Sequence, residues 1–101
     1  MATLHTVNKS PFDKNSLQIC LSLAKDGSGI LLIEDGVYAA TKGTKFSAEV
    51  EDAMKNHKVY ALESDLSMRG VINKVIDGVE VVDYAGFVDL TAEYSKVQSW
   101  L

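Results

Sequence analysis

Few residues of this chain could do chemistry: one cysteine, two histidines, and three aspartates that fall where strands should end. Cys20 is the only thiol, which excludes an internal disulfide and a cysteine-built zinc cluster. The thiolate is the attacking form, and a thiol of ordinary pKa near ~8.5 is activated by adjacent cations or a helix N-terminus. The sequence places Cys20 more than a turn inside a helix from about Asn15 to Lys25, beyond the strongest part of the helix dipole. Its neighbours three and four positions away are Ser16, Leu17, Leu23 and Ala24, none of them cationic. This spacing describes a buried, structural cysteine, because free cysteine is among the most buried residue types. Reactivity would need a cation brought by the tertiary structure or by a partner.

Asp35, Asp65 and Asp83 could suggest a Mg²⁺ site or acid–base work. Single aspartates at helix starts more often solvate a turn or cap a helix, and that is the expectation for all three. A phosphoacceptor receiver domain would want an acidic pair after the first strand, where this chain has Asn8-Lys9. His5 stands in an apolar strand with no second ligand at metal spacing, which predicts a hydrogen-bonded, half-buried histidine. His57, between Asn56 and Lys58, reads as surface. No GxSxG nucleophile setting occurs, nor GxGxxG or GxxxxGK[ST], so neither a serine nucleophile nor a nucleotide or flavin phosphate site is supported. No cofactor or metal is expected. Of the ordinary catalytic templates only the thiol remains.

The elements that must position these residues alternate between two periodicities. Thr3–Val7, Ile30–Ile33, Lys58–Leu62 and Val79–Val82 are short β-branched or apolar runs and read as strands. Ile30-Leu31-Leu32-Ile33 is continuous rather than alternating, as a strand covered on both faces requires. The first helix is entered at Pro11, left at Gly27, and puts Leu17, Cys20, Leu21 and Ala24 on one face. A second helix, from about Phe46 to Lys55, points Phe46, Val50 and Met54 inward and Glu49, Glu51, Asp52 and Lys55 outward. Ser64–Arg69 reads as a short helix with Asp65 helping to cap its start, Arg69 in its last turn and Gly70 closing it. The final helix follows Asp83 as N-cap, with Tyr84, Phe87, Val88 and Thr91 on one side. Val71–Val75 fits either a fifth strand or a loop. Strands alternating with helices imply right-handed βαβ units, and so a compact flavodoxin-like α/β sandwich with a mostly parallel sheet of four or five strands.

A chain of 101 residues is a single domain with no internal boundary, spanning 1–101. Its hydrophobic fraction of 47% is that of a globular protein. The net charge is −4, and the 10 basic residues are scattered among 14 acidic ones, which disfavours direct nucleic-acid binding. The first residues lack a basic and an apolar signal region, and no run approaches the ~18 apolar residues of a membrane span, so the cytoplasm is the expected compartment. Tyr38, Val97, Trp100 and Leu101 place apolar surface near a turn and a terminus. They fit a subunit interface or a tail folded back on its own core.

Four segments, in register from end to end, resemble the DsrH/TusB family of DsrE-like proteins. They are Leu4-His5-Thr6-Val7-Asn8-Lys9-Ser10-Pro11-Phe12, the run Leu31 to Ala40, the run Val59 to Leu66 with Arg69-Gly70, and the run Val82 to Thr91 followed by Trp100-Leu101. The resemblance implies an accessory subunit of a cytoplasmic α2β2γ2 heterohexamer with DsrE/TusD-like and DsrF/TusC-like partners. The partner of the first kind carries the principal acceptor cysteine. In the DsrEFH branch such a complex passes persulfide sulfur toward a DsrC-type carrier during sulfur oxidation. In the TusBCD branch a similar complex, with a TusE-like carrier, serves 2-thiouridine formation at the tRNA wobble position. A cysteine at position 20, the Asn8–Phe12 stretch and the Asp83–Thr91 run resemble the DsrH branch more closely, which implies sulfur oxidation with possible sulfur carriage on Cys20. A purely structural subunit and a free-standing ligand-binding α/β domain are the other readings.

Overall fold

The computed structural model describes residues 2–101. Five strands, β1 (Thr3–Val7), β2 (Gly29–Leu32), β3 (Lys58–Leu62), β4 (Glu80–Val82) and β5 (Lys96–Trp100), form one sheet in the order β4-β3-β2-β1-β5. Every pairing is parallel. Parallel neighbours need crossovers, and four α-helices serve: α1 (Ser16–Leu23), α2 (Ser47–Ala53), α3 (Glu63–Met68) and α4 (Tyr84–Glu93). The first three crossovers step the chain from β1 out to β4. The fourth carries it back across the whole sheet to the far side of β1. With right-handed connections this return puts α4 alone on one face and α1–α3 on the other.

The core divides in the same way. Between the sheet and α1–α3 lies a cluster that includes Val7, Leu17, Cys20, Ile30, Leu32, Val37, Val50 and Leu66. Beneath α4 a smaller cluster holds Leu4, Leu31, Tyr60, Leu62, Val82 and Leu90, with Phe87 and Tyr94 half-buried against it. Leu31 and Leu32 thus feed opposite faces, which is why their strand is apolar without alternation. Each large side chain fully buried in this way contributes about 1.5–3 kcal/mol of transfer free energy. Among the described residues no helix is long and apolar enough to cross a membrane.

Strands β1 and β3 have the predicted bounds. β2 begins and ends one residue early. Ile33 still donates to the Val7 carbonyl, but Glu34 then turns the chain with φ +50° into a 3₁₀ segment, Glu34–Ala40. Gly36 in that segment lies so close to β1 that a Cβ there would come within 2.1 Å of the Val7 carbonyl oxygen. The Val71–Val75 stretch is not a ladder strand. Ile72–Lys74 is a single 3₁₀ turn, anchored by an isolated bridge between Thr41 and Val75 and by Lys42 N–H to Lys74 O and Ile76 N–H to Ala40 O.

The fifth strand is instead Lys96–Trp100, in a tail that the sequence left open between interface and fold-back. It pairs with β1 from Thr3↔Lys96 to Val7↔Trp100. Asp83 caps α4 as expected, its carboxylate accepting from Gly86 N–H at 2.8 Å. Asp65 does not cap α3. It sits inside the helix and its carboxylate is drawn to other partners. Gly70, at φ +69°, closes α3 in the left-handed region that disfavours a side chain.

Candidate functional site

Cys20 lies in the second turn of α1, on the inward stripe with Leu17, and is 0% exposed. It belongs to the apolar cluster between the sheet and α1–α3. Burial pushes its thiol up to about 12, the sole cause being loss of hydration of the thiolate. At neutral pH such a thiol is ionised in only about one molecule in 10⁵. No cation offsets the burial, so the structure brings Cys20 none of the activation that its own helix lacks.

The carboxyl ends of the strands form the rim where ligands bind in open parallel sheets. There Arg69 joins two of the three candidate aspartates, Asp35 and Asp65. Arg69 donates from Nε to Asp35 Oδ1 at 2.9 Å, and its Nη2 lies 2.9 Å from the same oxygen. Its Nη1 lies 3.6 Å from Asp65 Oδ1, one helical turn back. Asp65 Oδ2 accepts the Glu34 backbone N–H at 2.7 Å. The cluster therefore ties α3 to the turn after β2 and holds the strained Glu34 backbone in place. Its carboxylates are spent on a guanidinium and an amide, and it has a structural use.

Asp83 stays apart as a helix cap. The Asp65–Arg69 link was readable from its spacing of four residues on one helix; the link to Asp35 was not. Among the described residues no group of three His, Cys, Asp or Glu side chains is placed to hold a metal ion.

The histidines also do not converge on the thiol. His5 is 6% exposed and its Nδ1 accepts from the Trp100 indole N–H at 3.0 Å. Its pKa is lowered by burial and, secondarily, by the nearby His57. His57 is half-buried rather than a surface residue. Its Nδ1 lies 3.3 Å from the Ser28 carbonyl, because Gly27 N–H bonds to Asn56 O and folds the loop after α1 over it. His57, Tyr60, Glu93 and Tyr94 line an open cleft of about 470 Å³. It includes Lys58 at the start of β3, and so lies at the amino ends of the strands, away from the rim. Tyr60 and Tyr94 hydroxyls meet there at 3.2 Å, and burial, then the Tyr94 hydrogen bond, push the Tyr60 hydroxyl well above its ordinary pKa.

The molecule also exposes apolar side chains. On α4, Leu90 packs inward, while Tyr84 is 71% and Val88 49% exposed one helical turn apart. Tyr84 lies edge-on to Phe87, with ring centroids 5.9 Å apart. Met68, at the end of α3, and Leu101 are more than four-fifths exposed.

The family model described as DsrH like protein matches residues 9–97. Protein TusB of Shigella dysenteriae serotype 1 is 36% identical over 97 residues, covering 96% of this chain and 99% of that protein. Protein TusB of Escherichia coli O1:K1 is 35% identical over the same length and coverage. Among solved structures, the ychN protein of E. coli superposes with a TM-score of 0.76 at 22% identity, covering 98% of this chain and 99% of that one. The protein MTH1491 of Methanobacterium thermoautotrophicum gives 0.70 at 14% identity, covering 96% and 97%. These two show the fold. The family match and the TusB relatives show more: the chain belongs to the DsrH/TusB family.

Proposed function

We propose that the chain is an accessory subunit of a DsrEFH-like sulfur-relay complex, shaping and shielding a partner's reactive cysteine rather than carrying sulfur itself. Family membership supports the coarser part, a subunit of the sulfur-relay type working with DsrE- and DsrF-like chains. One observation carries the accessory part: the chain's only cysteine is fully buried, with burial pushing its thiol up to about 12. In persulfide transfer a thiolate attacks the outer sulfur of a donor persulfide, a new S–S bond forms, the old one breaks and the donor leaves as thiolate. That attack needs both ionisation and access, and Cys20 has neither. The exposed Tyr84, Val88, Met68 and Leu101 support the complementary role of building an interface.

In this reading the assembly is an α2β2γ2 heterohexamer in the cytoplasm, and the sulfur goes to a DsrC-type carrier during sulfur oxidation. The Asn8–Phe12 and Asp83–Thr91 stretches favour that branch. The curated relatives named TusB favour a second reading, relay toward 2-thiouridine at the tRNA wobble position. Deleting the gene in its host separates the two: loss of sulfur oxidation with wobble thiolation intact supports the first, and the reverse supports the second. The accessory role is tested by Cys20→Ala in the assembled complex. Sulfur transfer to the carrier should keep the wild-type rate; a loss of tenfold or more, with the complex intact, contradicts it.

A further inference from the structure

We propose that the hydrogen bond from Trp100 to His5 is an acid-sensitive latch that holds the C-terminal edge strand β5 on the sheet. β5 has one neighbouring strand, and its first four residues, Lys96 to Ser99, are exposed. Its side-chain ties are Thr6 Oγ1 to Ser99 Oγ at 3.3 Å and Trp100 Nε1 to His5 Nδ1 at 3.0 Å. Just beyond the strand, Ser16 Oγ donates to the Leu101 carbonyl at 3.3 Å. Of the two side-chain ties within the strand, only the one to His5 involves a titratable side chain. It also seats Trp100 against the core cluster that contains Val7, the residue opposite it in the ladder.

The donor fixes the tautomer. Nδ1 can accept the indole N–H only when it carries no proton, so the ring proton sits on Nε2. A second proton must go to Nδ1, the atom that Trp100 occupies. Protonation of His5 and closure of the latch therefore exclude each other.

The ring lines a cleft of about 280 Å³ with Lys25, Asp26 and Ser28 of the loop after α1, Lys96 and Gln98 of β5, and Leu23 of α1. Among the groups facing it, Lys25, Lys96 and His57 oppose a positive charge and Asp26 favours one. β2 contributes Ile30 beside it in the ladder, which does not titrate. Burial, the largest cause, and then His57 lower its pKa, so His5 stays neutral to pH values below its ordinary range. The unfolded chain then binds the extra proton more readily than the folded one. The latch is intact above a pH of about 6.5, and its contribution is lost as pH falls through the lower folded pKa of His5.

The test is a pH titration of the full chain, with the His5 ring followed by NMR and the β5 amides by hydrogen exchange. His57→Gln settles which histidine signal is which. Trp100 is the only tryptophan, so its emission reports the latch directly. His5 should titrate below about 6.5. Trp100 emission should change with the same midpoint. Protection factors of the Lys96–Trp100 amides should fall roughly tenfold across it, as expected for loss of one buried hydrogen bond, while those of β2 and β3 hold. Trp100→Phe should move the His5 midpoint upward, and His5→Gln, which keeps an acceptor, should make β5 protection independent of pH. An unchanged His5 midpoint in Trp100→Phe, or β5 protection that ignores that midpoint, overturns the proposal.

Discussion

The two faces of the sheet are built from one strand set but finished differently. The face beneath α1–α3 is closed by three helices and two 3₁₀ segments, and it holds the chain's only thiol, Cys20. The other face is covered by one helix, whose Tyr84 and Val88 are left exposed beside the buried Leu90. The one thiol sits where nothing can reach it, while apolar side chains stand exposed on both sides, Ile19, Leu23 and Met68 on α1 and α3 and Tyr84 and Val88 on α4. That contrast separates what this chain keeps for its own fold from what it offers to others. On the proposed reading, Tyr84 and Val88 belong to an interface with a partner subunit.

The contrast can be broken by substitution. The largest effect is expected on the closed face, where Leu32→Ala should cost about 4–5 kcal/mol because the surrounding cluster cannot collapse into the space. Leu90→Ala, under the single helix, should cost about 2–3 kcal/mol, since α4 can settle toward the sheet. Urea unfolding of both variants measures the difference, and equal values would mean that the two faces are packed alike. Next comes Gly36→Ala at the rim, which drives a methyl group into the Val7 carbonyl. It should destabilise by about 1–3 kcal/mol through forced movement of the turn after β2, seen in the same assay. The smallest effect on folding is expected from Tyr84→Ser with Val88→Ser. Stability of the chain should shift by no more than about 0.5 kcal/mol, as for other exposed positions. Co-purification with DsrE- and DsrF-like partners should nonetheless be lost, and retention would show that the interface lies elsewhere.

Much of this arrangement is written locally, and the parts that are not share one property. β1 and β3 are short β-branched or apolar runs, and the Leu17–Cys20 stripe states its own burial by helical spacing. Asp83 announces its cap because the partner, Gly86, is three residues away. The Asp35–Arg69 pair joins residues 34 apart and the His5–Trp100 pair residues 95 apart, so no local pattern can encode either. β5 escaped because an edge strand with mostly exposed side chains carries little hydrophobic signal, and its pairing with β1 closes the chain end to end. The same holds for Tyr84 and Val88. Their spacing marked an apolar side of α4, but only the packing of Phe87, Leu90 and Tyr94 reveals which apolar side faces the sheet.

The thiol on the closed face is expected to take no part in sulfur chemistry. Intact mass of every subunit, recorded after the assembled complex meets a persulfide donor, tests it most directly. Added sulfur should appear on the DsrE-like partner alone, with this chain unchanged in mass. A shift of one sulfur on this chain, absent in Cys20→Ala, would contradict the account.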